Sequence, residues 1–221
     1  MNIQEKLKFD RDALEHSKAH WLIGIDEVGW GSFAGDIVIG AVAIPLDIYQ
    51  AAKGVVDHPL LSKVHDSKKV KPELREKISA QIKQSHCYGF GHGKVASINE
   101  ESPNEAYKQA FHAAISDVYG KMPPNKNSYH VLLDGSREVD SPIPQQLVTK
   151  GDEKSYVIAA ASIIAKVYRD NLMTELSKKY PHYDWENNAG YGSPKHREAL
   201  RKHGACPEHR TQYIRSTIIS G

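Results

Sequence analysis

Residues 157–167 (VIAAASIIAKV) are apolar or small almost all the way round a helix, and this run constrains the fold more than any other. A helix without a polar face cannot lie on a surface, so it has to be enclosed in a core with another layer packed over it. The chain has 221 residues, of which 40% are hydrophobic and 25% charged. That is enough to build one sizeable core around such a helix, and it excludes a disordered, collagen-like or coiled-coil chain. No stretch approaches the roughly 20 apolar residues of a membrane helix. The opening MNIQEKLKFDRD lacks the apolar segment of a secretory signal, and two cysteines, Cys87 and Cys206, are too few for a disulfide framework. A cytoplasmic protein in a reducing compartment, with no membrane association, is expected.

Elements of two periodicities surround the apolar helix. Residues 21–26 (WLIGID), 37–44 (IVIGAVAI) and 129–133 (YHVLL) read as buried strands, 87–96 as a glycine-rich strand and 146–149 as a short one. Pro72 opens a helix with Leu74, Ile78 and Ile82 on one face, and a second helix carries Tyr107, Ala110, Phe111, Ala114 and Val118. A polar helix is expected at the N-terminus and a last one from Pro194 to His203, while 45–65 is irregular. Strands alternating with helices predict an α/β fold with a mixed central sheet flanked by helices. One domain is expected, with a core at about 20–180 and a helical extension at about 181–221.

Two of these strands end in acid: Ile25 is followed by Asp26 and Glu27, and Leu133 by Asp134 and Gly135. Carboxylates just past the ends of neighbouring strands meet at one sheet edge, where like charges repel and a divalent cation relieves them. An all-oxygen donor set selects Mg²⁺ or Mn²⁺ over Zn²⁺. Successive strand residues face opposite ways, so Asp26 and Glu27 cannot both point inward from a regular strand. The turn at Gly29, Gly31 and Gly35 is expected to place Glu27 beyond the regular ladder. A single terminal Asp is usually a turn or cap residue; two such ends, one a double acid, are harder to dismiss.

Net charge is +2, but Lys195, Arg197, Arg201, Lys202, Arg210 and Arg215 crowd one end, among His196, His203 and His209. A balanced chain with one basic end suits an enzyme holding a polyanion at an edge, although a solvated surface helix would look the same.

The segments IGIDEVGWGSFAG, HDSKKV, LLDG, GDEKSYVIAAASIIAKVYRD and YPHYDWENNAGYGSPKHREAL with HGACPEHR occur in this order between about residues 22 and 210. Together they resemble the successive motifs of type 2 ribonuclease H, the bacterial ribonuclease HII group. The resemblance implies an RNase H-like fold and Mg²⁺- or Mn²⁺-dependent endonucleolytic cleavage of RNA in RNA–DNA hybrids. It also implies nicking at ribonucleotides embedded in DNA, with two metal ions and 3′-hydroxyl and 5′-phosphate products. Matched position by position, the family's four metal-binding catalytic carboxylates fall on Asp26, Glu27, Asp134 and Asp152. Its junction-stacking tyrosine falls on Tyr191, and its DSK segment along the nucleic-acid path on Asp66, Ser67 and Lys68. Gly29 and Gly31 match the glycines that approach the 2′-hydroxyl, but the arginine between them is Trp30 here. Two readings of Trp30 are open: stacking on a base or sugar, worth ~1–3 kcal/mol in single-strand binders, or packing into the fold. Lys195 is expected to contact phosphate regardless of sequence. The expected partner is an RNA–DNA hybrid or ribonucleotide-containing DNA, met by a monomer.

Other residues invite competing readings. Asp170 lies about 27 Å along a helix from Asp152 at 1.5 Å per residue, too far to share a metal, and reads as structural. Ser155, Ala159, Ser162 and Lys166 form a small-polar stripe, read mainly as helix–sheet packing. His203, Cys206 and His209 read as a polar loop on a basic surface rather than zinc ligands, because a fourth ligand is lacking nearby. Tyr183 and Trp185 read as packing. Two rivals to the main reading are a related nuclease without single-ribonucleotide preference and a non-catalytic nucleic-acid-binding module.

Overall fold

The computed structural model describes residues 1–51, 53–64, 70–123 and 128–219. Asp66, Ser67 and Lys68 lie outside the described residues. Five strands form one sheet in the order β3-β2-β1-β4-β5: β1 (Trp21–Val28), β2 (Ile37–Pro45), β3 (Cys87–Gly93), β4 (Tyr129–Asp134) and β5 (Gln145–Val148). The first three pair antiparallel, and β4 and β5 continue parallel to β1, which makes the sheet mixed as expected. The longer helices are α1 (Ile3–Ser17), α2 (Pro72–Ser85), α3 (Pro103–Lys121), α4 (Tyr156–Lys179), α5 (Pro194–His203) and α6 (Thr211–Ile219).

The two sheet faces are sealed by different helices. Leu22, Val42, Ile44 and Leu132 pack with α1, α2 and the apolar start of α4. Ile23, Ile25, Ile39 and Leu133 pack under Ala106, Ala110, Phe111, Ala114 and Val118 of α3. This is period-2 alternation with apolar residues on both sides, as a central strand covered on two faces requires. Both helices sit directly on strand backbone. A Cβ at Gly24 would run into the main chain of Val157, and one at Gly91 into that of Ala110. The enclosed helix expected at 157–167 is the buried half of α4.

Three details differ from expectation. The strand at 87 ends at Gly93, because Val95–Glu100 is already helical. The irregular segment after Pro45 holds two short helices, Leu46–Ala51 and Lys53–Val56. Beyond α5 the chain forms α6, whose Ile214 joins Phe33, Met173, Trp185 and Leu200 in a third apolar cluster. An isolated bridge between Ala34 and His209 ties this extension to the loop between β1 and β2.

Candidate active site

The register of β1 opens the site. Its pairing with β4 stops at Ile25 opposite Leu133, whereas its pairing with β2 continues through Glu27 opposite Ile39 and Val28 opposite Val38. Glu27 is therefore still in a regular strand, contrary to the expectation that the glycine turn lifts it out of the ladder. What ends early is the β4 side. Asp26 and Glu27 face opposite sheet faces, yet both reach the notch left there, because no neighbouring strand separates them. Asp26 is bonded by the Ser162 hydroxyl of α4, and Glu27 exerts its charge on Tyr107 of α3.

Asp134, the last residue of β4, brings a third carboxylate. Its Oδ1 accepts the Gly151 N–H at 2.6 Å, and a Cβ at Gly151 would lie 3.0 Å from that oxygen. Gly151 begins the helical turn Gly151–Lys154 that carries Asp152. The turn is braced from α1: the buried Lys6 Nζ donates to the Asp152 carbonyl oxygen, and Asp10, one turn later, accepts the Val157 N–H at 2.9 Å. Nothing in the sequence signalled this brace, because Lys6 and Asp10 read as an ordinary polar helix.

The four carboxylates line one cleft of ≈ 420 Å³ with Gly31, Ser162, Lys166 and Tyr191. Burial, followed by the charges of Glu27, Asp134 and Asp152, holds the Asp26 carboxyl well above the usual carboxylate range; the Ser162 hydroxyl works in the opposite direction. Lys166 offers little relief, since its Nζ is 2.8 Å from Asp170 Oδ1. Asp170 also faces Arg75 at 3.7 Å, which supports its structural reading. The stripe on α4 divides: Ala159 packs in the core, as the packing reading expects of the alanines, whereas Ser162 and Lys166 line the cleft.

An oxygen-only, negatively charged donor set fits a hard divalent cation. Among the described residues no group of three or more His, Cys, Asp or Glu side chains is arranged to hold a metal ion by itself. Mg²⁺ does not require one, because it keeps several waters and is commonly held by one or two carboxylates together with substrate phosphate.

Two buried arginines hold the glycine-rich loop at the cleft. Arg169 of α4 donates from Nε to Asp36 O at 3.2 Å, from Nη1 to Ala189 O at 2.7 Å and from Nη2 to Ser32 Oγ at 2.8 Å. Arg210 donates to Gly35 O at 2.7 and 2.9 Å and to Trp30 O at 2.8 Å. Gly29, at φ +90°, has no room for a Cβ against Arg169, whereas a Cβ at Gly31 would meet nothing within 4 Å. The first glycine is thus required by the loop, and the second leaves the cleft floor open. Trp30 meets Tyr107 edge-on at 5.5 Å between centroids and carries Arg137 on its face at 3.8 Å.

Tyr191 reaches the cleft with its ring 40% exposed, and its backbone is fixed from behind. Its carbonyl accepts the His196 Nδ1–H at 2.9 Å, so His196 Nε2 accepts from Trp185 Nε1 at 3.1 Å and faces His209 Nε2 at 3.0 Å. His209 Nδ1 accepts the Cys206 N–H at 3.0 Å. Of the polar loop expected at His203, Cys206 and His209, His203 is exposed and Cys206 half-buried, whereas His209 and the following Arg210 are buried, as is His196. The packing reading of Tyr183 and Trp185 holds, with their rings stacked at 5.0 Å. Lys195 stays outside the cleft, exposed and 3.7 Å from Asp184.

The sequence matches the family model for Ribonuclease HII over residues 23–216. It is 39% identical over 211 residues to ribonuclease HII of Geobacillus kaustophilus, covering 95% of this chain and 74% of that protein. It is 36% identical over 216 residues to ribonuclease HII of Thermosynechococcus vestitus, covering 94% and 93% of the two. The crystal structure of ribonuclease H2 from Pyrococcus horikoshii shares the fold, with a TM-score of 0.68 at 22% identity, covering 90% of this chain and 98% of that one. With nearly the whole chain matched and a carboxylate cleft at the sheet edge, the protein belongs to the ribonuclease HII family of metal-dependent endoribonucleases.

Proposed function

We propose that this enzyme hydrolyses the RNA strand of RNA–DNA hybrids and nicks duplex DNA at embedded ribonucleotides, leaving 3′-hydroxyl and 5′-phosphate ends. The observation that carries this reading is the gathering of Asp26, Glu27, Asp134 and Asp152 in one cleft, where burial and the three neighbouring acids hold the Asp26 carboxyl well above the usual carboxylate range. These four carboxylates would hold Mg²⁺ or Mn²⁺, which when bound would supply an activated water and a Lewis acid for the leaving oxygen. The chain's own residues supply selection. Gly31 leaves the loop backbone open to a 2′-hydroxyl, and DNA, which lacks that group, leaves the backbone partner unmatched. Tyr191 presents an aromatic face for the sugar at the RNA–DNA junction.

The substitution of Trp30 for the family's arginine favours a second reading, cleavage of uniform hybrids without preference for a single ribonucleotide. One experiment separates the readings: cleavage of a duplex with one ribonucleotide against a uniform hybrid, in Mg²⁺ and in Mn²⁺, with product ends mapped. Cleavage 5′ to the lone ribonucleotide supports the proposal, and cleavage of the uniform hybrid alone supports the second reading. Metal-dependent thermal stabilisation without any cleavage would leave only a binding module.

A further inference from the structure

Arg137 stands apart from the other arginines around the cleft. Arg169 and Arg210 spend their N–H groups on main-chain carbonyls inside the protein. Arg137 is exposed, its guanidinium carbon lies over the Trp30 ring 3.8 Å from the centroid, and among the described residues its N–H groups have no bonded partner. It is presented on a pinned loop. Gly135 N–H donates to Val148 O at 3.1 Å, and Val139 is bonded twice to the Gln145 side chain, at 3.1 and 2.7 Å. The same strand end therefore delivers Asp134 into the cleft and, three residues later, a guanidinium to its rim.

Stacking fixes the plane of a guanidinium while leaving its edge free, and that edge is the fork that pairs bidentately with phosphate. Trp30 itself lines the catalytic cleft, so the free edge lies beside the path that a nucleic-acid strand takes to the carboxylates. Beyond Arg137 is a second cleft of ≈ 400 Å³, in which Lys108 pairs with Asp140 at 2.9 Å while Glu105 and Glu138 leave the walls net negative, unfavourable to a polyanion. The phosphate is thus expected at the rim rather than deeper.

We infer that Arg137, oriented by Trp30, forms a binding subsite for a backbone phosphate flanking the cleaved bond, and that Trp30 acts through Arg137 rather than by stacking on a base. The inference rests on the reading of the cleft as a nucleic-acid site. It is tested with steady-state cleavage of a uniform RNA–DNA hybrid over a series of NaCl concentrations, using wild type, Arg137→Ala, Arg137→Lys, Trp30→Ala and the Trp30→Ala/Arg137→Ala double variant. For Arg137→Ala we expect KM to rise about tenfold with kcat within about twofold, and the slope of log(1/KM) against log[salt] to shrink by about 0.9, one phosphate contact. Arg137→Lys should keep the slope and recover only part of the KM, because an ammonium has no planar fork. Trp30→Ala should raise KM in the wild-type background and have no further effect in the Arg137→Ala background.

An Arg137→Ala variant with wild-type KM and salt slope overturns the subsite. Additive effects of the two alanine substitutions overturn the role given to Trp30. A wild type that neither binds nor cleaves the hybrid refutes the reading of the cleft itself, and the subsite with it.

Discussion

The carboxylate cleft and the knot of Tyr183, Trp185, His196 and His209 behind Tyr191 are built from the same kind of material and come to opposite ends. Each gathers titratable groups from distant segments. In the knot, ring nitrogens and N–H groups find partners: His196 bridges Tyr191 O and Trp185, and His209 takes the Cys206 N–H. In the cleft, four acids face one another and Asp26 is held back from ionising. Polar groups of complementary kind stabilise the protein when they meet, whereas like charges gathered by the fold raise one another's cost and mark a place for something outside it. Tyr191 joins the two, with its backbone in the knot and its ring in the cleft.

The sharpest way to break this contrast is to remove one acid. Asp134→Asn should cost more in kcat than the roughly 10–100-fold that follows loss of a group merely supporting a ligand. It should also leave the metal-free melting temperature unchanged or higher, since it relieves repulsion, and abolish stabilisation by Mn²⁺. Loss of activity together with a large drop in metal-free stability would show that the acid is structural. Trp185→Ala tests the other side: filling this buried site with nothing should cost about 3–5 kcal/mol. For a chain of this size that lowers the melting temperature by roughly 6–20 °C. A shift of only a degree or two would mean that the knot is not a structural unit.

The pH dependence of stability separates two buried groups with opposite signs. Burial pushes the His209 imidazole down to about 4. The unfolded chain then takes up its proton first, and this contribution is lost as pH falls from about 6.5 toward 4. Burial pushes the Asp10 carboxyl up to about 7. The folded chain then holds its proton longer, so stability from this group is full below about 4 and is lost as pH rises toward 7. Asp10→Asn should therefore gain stability relative to wild type as pH is raised from 5 to 8, measured by denaturant midpoint. A difference that stays constant over that range rules out the titration of Asp10. The smallest effect belongs to Lys195→Ala. Exposed and loosely facing Asp184, it should change stability by less than about 0.5 kcal/mol, while hybrid affinity falls uniformly across sequences and the salt slope by about one.

The strands around Asp26 and Asp134, the enclosed half of α4 and the aromatic–alanine face of α3 were all legible, because residues two or four apart carry those patterns. Asp26, Glu27 and Asp134 were legible as strand ends, whereas Asp152, on a helical turn, was legible only through the family motif. Arg169, Arg210, Lys6 and Asp10 were not. A lone Arg in a helix or a polar N-terminal turn looks solvated until its carbonyl partners are known, and these lie up to 180 residues away. His196 and His209 misled for the same reason, being surrounded by basic neighbours in the chain and by aromatic rings in space.

Local order alone therefore specified which segments become strands and helices and which residue types stand at their ends. Only the assembled fold decided that the β1–β4 pairing stops at Ile25, just before Asp26, that two arginines turn inward onto the glycine loop, and that Arg137 lies over Trp30. Periodicity is a property of neighbours, whereas register and the burial of charge depend on contacts across long closed loops, whose cost and reward no short stretch of residues encodes.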